Sequence, residues 1–196
     1  MSFRIEEKLL INFSQIFNFK NWLANEEYIK LYPDRTINSL YFDNLNNQMF
    51  LDSEEGITPR KKIRVRNYPE YKDQKFFFET KISSPEGRYK QKKAINIDEL
   101  DNLKKFGHFD ETYNSCHPKL FVKYTREYFD TTICRLTIDT NITYTEYKNL
   151  NNNEKDPYVA VEIKANFNSS LDQLMSKFPF QRVRFSKYCR GFDFLF

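Results

Sequence analysis

The stretch Arg60–Arg66 reads R-K-K-I-R-V-R and limits the possible folds of this chain more than any other segment. An extended chain places successive side chains on opposite faces. Arg60, Lys62, Arg64 and Arg66 then share one face, with Lys61, Ile63 and Val65 on the other. Neighbours on a face lie roughly 7 Å apart, so each adjacent pair of bases repels by about 0.6 kcal/mol in water and about 2.4 kcal/mol at an effective dielectric of ~20. On a solvated face this cost is trivial. In a confined space it calls for a strongly anionic occupant.

The 196 residues suit one compact domain, 1–196, with a substantial core. Phenylalanine (20) and tyrosine (13) raise the aromatic share to 17%, which points to a phenylalanine-rich core. A net charge of +4 is too small to demand nucleic acid or a membrane surface, so the placement of charge matters more than its sum. Cys116, Cys134 and Cys189 are widely spaced, which fits a reducing compartment and neither a disulfide framework nor a zinc site. The opening MSFRIEEKLLINF lacks the apolar segment of a signal peptide, and no apolar run reaches membrane-spanning length. A soluble, cytoplasmic protein is expected.

Period-2 alternation predicts strands at Phe3–Ile11, Asn38–Phe42, Arg60–Arg66, Lys75–Ile82, Arg88–Ile95, Lys119–Phe129, Arg135–Asn141 and Tyr158–Ala165, with Ile142–Tyr147 as a continuation. Helical spacing predicts short helices at Phe13–Ala24, Asp98–Phe106 (capped by Asp98) and Ser170–Phe178, with further short pieces around Gln48–Asp52 and in the tail. His108–Pro118 and Asn149–Asp156 read as loops. The expected class is α+β, mainly β: a closed antiparallel barrel or two packed sheets with short helices between strands.

An acid-x-base unit occurs on three strands: Glu6-x-Lys8, Glu79-x-Lys81 and Glu162-x-Lys164. Arg88, Lys90, Lys92, Arg126 and Arg135 add to the bases. Two arrangements accommodate this pattern. Charged faces toward water over a greasy interior is the ordinary antiparallel sheet. The inverse places greasy faces under the helices and charged faces around a tunnel whose guanidinium and ammonium groups bind phosphate oxygens. Interspersed carboxylates make sense there if they hold a divalent cation. His108 and His117 lack ligand spacing and are expected to be exposed, as are Lys119 and Lys123. Cys134, Cys189 and Trp22 read as packing residues.

The chain resembles the VTC domain family, the polyphosphate-polymerase branch of the triphosphate tunnel metalloenzymes (CYTH-like proteins). The resemblance rests on F-R-I-E-E-K-L at Phe3–Leu9, S-L-Y-F-D-N at Ser39–Asn44, I-R-V-R at Ile63–Arg66, F-E-T-K at Phe78–Lys81 and G-R-Y-K-Q-K at Gly87–Lys92. It continues through Y-T-R at Tyr124–Arg126, R-L-T-I-D at Arg135–Asp139, V-E-I-K at Val161–Lys164 and F-S-K-Y-C-R-G at Phe185–Gly191. It implies an eight-stranded antiparallel closed tunnel that binds a triphosphate or polyphosphate together with Mn²⁺ or Mg²⁺. By motif it makes Lys8, Arg64, Arg66, Lys81, Arg126, Arg135 and Lys187 the catalytic phosphate ligands. Further substrate contacts are expected from Arg4, Arg60, Lys62, Arg88, Lys90, Lys92, Tyr124, Lys164 and Arg184. The metal falls first to Glu162, then to Glu6 and Glu79, with Asp139 a weaker candidate. The N-terminal R-x-E-x-K lacks the two alternating glutamates before the lysine found in the wider superfamily, which favours the VTC branch.

The resemblance thus implies a metal-dependent polymerase that moves the γ-phosphoryl of a nucleoside triphosphate onto polyphosphate. Phosphoryl transfer rests on positioning and charge neutralisation, in keeping with the lack of a Ser/His/Asp or Cys/His set. Alternatives are a tripolyphosphatase or nucleoside triphosphatase of the same fold, and a non-catalytic polyphosphate-binding module. Nucleic-acid binding explains the arginines but not the acid-x-base units, so no nucleic-acid partner is expected. Fungal members carry an SPX sensor and membrane helices that do not occur in these residues. A domain acting alone, or with a separately encoded membrane partner, is expected.

Overall fold

The computed structural model describes residues 4–70, 75–132, 134–166, 176 and 182–196. Ten strands form one sheet: β1 (Arg4–Asn12), β2 (Tyr28–Asp43), β3 (Arg60–Asn67), β4 (Phe76–Ser84), β5 (Gly87–Ile95), β6 (His108–Asp110), β7 (Asn114–Thr131), β8 (Arg135–Glu146), β9 (Asn153–Lys155) and β10 (Tyr158–Asn166). The helices are α1 (Ile16–Ala24, preceded by a 3-10 turn at Phe13–Gln15), α2 (Gln48–Glu55), α3 (Ile97–Phe106) and α4 (Lys187–Leu195). The helix expected at Ser170–Phe178 lies outside the described residues.

The strands pair in the order β1-β10-β8-β7-β2-β3-β4-β5, with β6 joined to β7 and β9 to β8. Two expectations are corrected here. The sheet has ten strands rather than eight, because β6 and β9 form within the two segments that read as loops; three residues are too few to show a period. Nor is the sheet closed among the described residues: β1 and β5 stand at the two ends of the order. The outer strand β5 carries Arg88, Lys90, Lys92 and Lys93, all exposed. Such a lysine-rich edge discourages further pairing.

The residues group into two compact units. The first comprises Met1–Arg35, Tyr124–Ile142 and Lys155–Phe185. Here alternation sends Leu9 and Ile11 of β1, Leu136 and Ile138 of β8, and Val159, Val161 and Ile163 of β10 into one core with Phe19 and Leu23 of α1. Trp22 packs against this core, its ring centroid 5.4 Å from that of Phe19. Glu6, Lys8, Thr137, Asp139, Glu162 and Lys164 therefore occupy the opposite face.

The second unit comprises Thr36–Lys123, Thr143–Glu154 and Ser186–Phe196. Its organising polar group is Asp43 at the end of β2, which has no exposed surface. The Oδ1 of Asp43 accepts hydrogen bonds from the amides of Asn44 (2.8 Å) and Met49 (3.0 Å), while Oδ2 accepts from the Phe50 amide (2.9 Å) and the Tyr188 hydroxyl (2.6 Å). One carboxylate thereby fixes the start of α2 and the first turn of α4. Asn96, not Asp98, caps α3: Asn96 Oδ1 accepts from the Glu99 amide, and the Asn96 amide donates to Glu99 Oε2. Among the described residues, no helix is long and apolar enough to cross a membrane.

Gly191 of α4 passes directly beneath Tyr144 of β8. A Cβ at that position would lie 2.6 Å from Tyr144 Cδ1 and 3.2 Å from Leu120 Cδ1, and both neighbours are fully buried. Replacing a helical glycine by alanine ordinarily gains about 0.5–1 kcal/mol. Overpacking costs about 1–3 kcal/mol and outweighs that gain. Gly191→Ala is expected to lower stability by about 1–2 kcal/mol, read as a lower denaturant midpoint at unchanged slope.

Candidate functional site

The basic face of the second unit follows from strand register. On β3 and β4, Arg64 lies opposite Glu79, Lys62 opposite Lys81 and Arg66 opposite Phe77; on β5, Lys92 lies opposite Glu79 and Lys90 opposite Lys81. Glu79 is the only acid on this face of β3–β5, where Arg60, Lys62, Arg64, Arg66, Lys81, Arg88, Lys90 and Lys92 also lie. Its side chain is 2% exposed. Arg64 donates from Nε (2.8 Å) and Nη2 (2.7 Å) to Glu79 Oε2, Lys90 Nζ lies 2.6 Å from Oε1, and Arg66 Nε is 3.9 Å from Oε2. Burial pushes the Glu79 carboxyl up, but Arg64 and Arg66, with Lys90, more than reverse this and hold it at about 2.

Tyr41 and Ser39 complete this cluster. Arg64 Nη1 donates to the Tyr41 hydroxyl (2.8 Å), and Arg66 Nε to Ser39 Oγ (3.4 Å). Sequence reasoning passed over Tyr41 as a site residue. The available signal was its place in S-L-Y-F-D-N, where alternate residues share one face. Lys92 Nζ sits 3.6 Å from the Phe77 ring centroid. Lys62 Nζ reaches Ser186 Oγ (2.6 Å) at the N-cap of α4. Arg60 stands apart from the cluster, donating to the carbonyls of Gly56 and Ile57 just past α2. Arg88 is exposed and Lys187 half-buried.

The polar face of the first unit mixes signs. Glu162 of β10 lies opposite Lys8 on one side and Thr137 on the other. Glu162 Oε1 is 3.0 Å from Lys164 Nζ and its Oε2 is 3.5 Å from Arg126 Nη2; Glu6, opposite Lys164 on β1, shares this face. Burial pushes the Glu162 carboxyl up, yet Arg126, Lys164 and Lys8 drive it well below the usual carboxylate range. Asp139 is committed to Arg126, which donates to it from Nε (2.6 Å) and Nη2 (2.7 Å). Arg126 also lies 5.3 Å from the ring centroid of buried Tyr124, and Lys8 donates to the Phe185 carbonyl. Arg135 is 56% exposed and pairs with Asp130 at 3.7 Å, outside the Glu162 group. Arg184 is exposed, and the Arg4 side chain lies outside the described residues.

Glu6 and Glu162 are diagonal neighbours on one face of β1 and β10, and carboxylate oxygens are the donors that Mg²⁺ or Mn²⁺ takes, usually one or two carboxylates supplemented by phosphate oxygens. Thr137 Oγ1, across the strand from Glu162, is buried without a hydrogen-bond partner, which leaves a further oxygen at that spot. Glu6, Glu162 and Thr137 thus offer oxygens of the type a hard divalent cation takes, although Glu162 is paired with Arg126 and Lys164. Glu79, enclosed by bases, is placed to hold arginines. Among the described residues, no group of three or more His, Cys, Asp or Glu side chains is assembled as a metal cage.

The residues expected to be bland divide. Cys134 and Cys189 are buried free thiols. His108 and His117 are half-buried rather than exposed, because they fall on strands and not in a loop; the His108 ring centroid is 4.7 Å from that of Phe78. Lys119 is half-buried and Lys123 exposed.

Glu79 acts on stability through a lowered carboxyl pKa, so its contribution is present above about pH 4.5 and is lost as pH falls toward 2. Glu79→Gln leaves Arg64, Arg66 and Lys90 without their counter-charge and is expected to cost about 3 kcal/mol at neutral pH. Urea denaturation between pH 2 and 7 should also show a shallower acid-side loss of stability for the variant than for the parent.

The fold is shared with solved proteins of low sequence identity. A candidate adenylate cyclase from Bacillus halodurans superimposes with a TM-score of 0.63 at 14% identity, covering 94% of each chain. A candidate adenylate cyclase from Vibrio parahaemolyticus gives 0.58 at 13% identity, with 98% of each chain covered. A candidate adenylyl cyclase from Hippeastrum, described as having a dominant triphosphatase activity, gives 0.58 at 14% identity over 97% of this chain and 96% of its own. No curated protein matches the chain in sequence. The VTC domain model matches residues 3–196, and the chain accordingly belongs to the VTC domain family.

Proposed function

We propose that the protein is a metal-dependent polyphosphate polymerase that transfers the γ-phosphoryl group of a nucleoside triphosphate to a polyphosphate chain. Family membership supports a triphosphate-tunnel-type function, and with it a phosphoryl-transferring or hydrolysing enzyme. The observation that carries the reading is the excess of base over acid on the shared face of β3–β5. Arg64 is pre-oriented there by Glu79 and Tyr41, and Arg66 by Ser39. Arginine forks bind phosphate oxygens bidentately, and Lys81, Lys90 and Lys92 add point charges.

Phosphoryl transfer asks the protein for in-line positioning and charge stabilisation more than for covalent help. Arg64, Arg66 and Lys90 bind and orient phosphate oxygens, while Glu79 keeps the three bases in place. Lys8, Lys81, Arg126, Arg135 and Lys187 are assigned the same phosphate-binding role, with Tyr124 backing Arg126. Arg4, Arg60, Arg88, Lys164 and Arg184 serve as outer substrate contacts. Glu162 and Glu6 would hold Mn²⁺ or Mg²⁺, which when bound neutralises charge on phosphate oxygens.

The second reading is a triphosphatase, favoured by the fold shared with the Hippeastrum protein. Product analysis separates the two. With ATP and Mn²⁺, purified protein should release ADP and build a long anionic polymer; orthophosphate as the sole phosphate product identifies the hydrolase. Failure to consume ATP at all contradicts both readings. Glu162→Gln should lower the rate by about 100-fold or more.

A further inference from the structure

The second unit also holds a hydroxyl with a base beside it. Ser186 is the N-cap of the nine-residue helix α4, where its Oγ accepts from the Cys189 amide at 3.3 Å. Lys62 Nζ on β3 lies 2.6 Å from the same oxygen and 3.7 Å from Cys189 Sγ. A serine hydroxyl is a weak nucleophile until a base within hydrogen-bond reach takes its proton. Both side chains are half-buried, so the pair is shielded yet reachable.

We propose that Ser186 is a phosphoryl acceptor, with Lys62 as its general base, so that the enzyme starts a chain on its own serine when no primer is present. This rests on the phosphotransferase reading above. The Ser186 oxygen attacks the γ-phosphorus of a nucleoside triphosphate and an Oγ–P bond forms. The bond from that phosphorus to the β,γ-bridging oxygen breaks, and its electron pair leaves with the nucleoside diphosphate. The Ser186 proton passes to Lys62 Nζ. The phosphoserine formed then offers its own terminal oxygen to the next γ-phosphoryl group.

The surroundings suit each part of this step. Burial, opposed by Cys189 and Tyr41 and aided by the Lys81 ammonium across the strand, lowers Lys62 from the ordinary lysine range toward a form that can accept a proton. Burial raises the Cys189 thiol, which therefore stays protonated and does not compete as nucleophile. The new phosphate sits at a helix N-terminus beside the protonated lysine, an arrangement that stabilises its negative charge.

The test incubates the full chain with γ-radiolabelled ATP and Mn²⁺, maps label by peptide mass spectrometry, and follows ADP release in the same samples. Label on the Ser186 peptide is expected, stable to acid and released by alkali as for a phosphoserine. Ser186→Asn retains a good helix cap and should carry no label there. In that variant, loss of polymer made from ATP alone should be relieved by added tripolyphosphate. Lys62→Arg keeps the positive charge but cannot serve as base, and should lower labelling by about 100-fold or more. ADP release without label on Ser186, or undiminished labelling in Lys62→Arg, overturns the proposal while leaving the polymerase reading intact. Absence of both ADP release and label overturns the two together.

Discussion

The basic face of the second unit depends on one buried carboxylate among bases. Arg64, Arg66 and Lys90 converge on Glu79 from neighbouring strands, and at distances of this order each pair of like charges repels by about 2–4 kcal/mol at an effective dielectric of ~20. Glu79 offsets part of that repulsion and gives the guanidinium of Arg64 a fixed plane, with Tyr41 holding its far nitrogen. It does not neutralise the face. On the proposed function, the remaining positive charge is what a polyanion would meet, and it is in place once the chain has folded. A phosphate that docks there meets donors that need little reorganisation, the condition under which charged groups stabilise a transferring phosphoryl most.

Part of each ionic face is withdrawn from water. In the first unit the apolar faces of β1, β8 and β10 pack against α1, so the ionic faces need not also serve as the hydrophobic surface. On those ionic faces individual groups are nonetheless removed from water: Asp139 is 1% exposed and Thr137 8%, and in the second unit Arg66 is 7% exposed. Charges on a solvated sheet would be screened and worth little. Buried and held in hydrogen bonds, such groups depend on their individual partners, as with Arg126 between Asp139 and Glu162.

Alternation made much of this legible from the sequence. Strands with one greasy and one ionic face (β1, β3, β4 and β10) fall within a residue or two of where period 2 puts them, and the acid-x-base units do project from single faces. The pattern failed where its physical basis is absent. The first half of β2, Tyr28–Arg35, is mostly exposed and shows no alternation, so only Asn38–Phe42 stood out. The strands β6 and β9 are too short to repeat, and Pro118 disguised the start of β7. Partner choice was also beyond a linear reading. Arg126 selects Asp139, Lys62 finds Ser186 more than a hundred residues away, and Glu79 is surrounded by bases rather than by a second carboxylate. Those outcomes are set by strand order and register, which period alone does not specify.

The most direct measurement of the central claim is a crystal structure of the protein soaked with a non-hydrolysable nucleoside triphosphate and Mn²⁺. The expected result is phosphate oxygens on the guanidinium groups of Arg64 and Arg66 and on Lys90, with Glu79 still bonded to Arg64. A triphosphate bound elsewhere, with the Arg64–Glu79–Lys90 cluster closed and untouched, would contradict it.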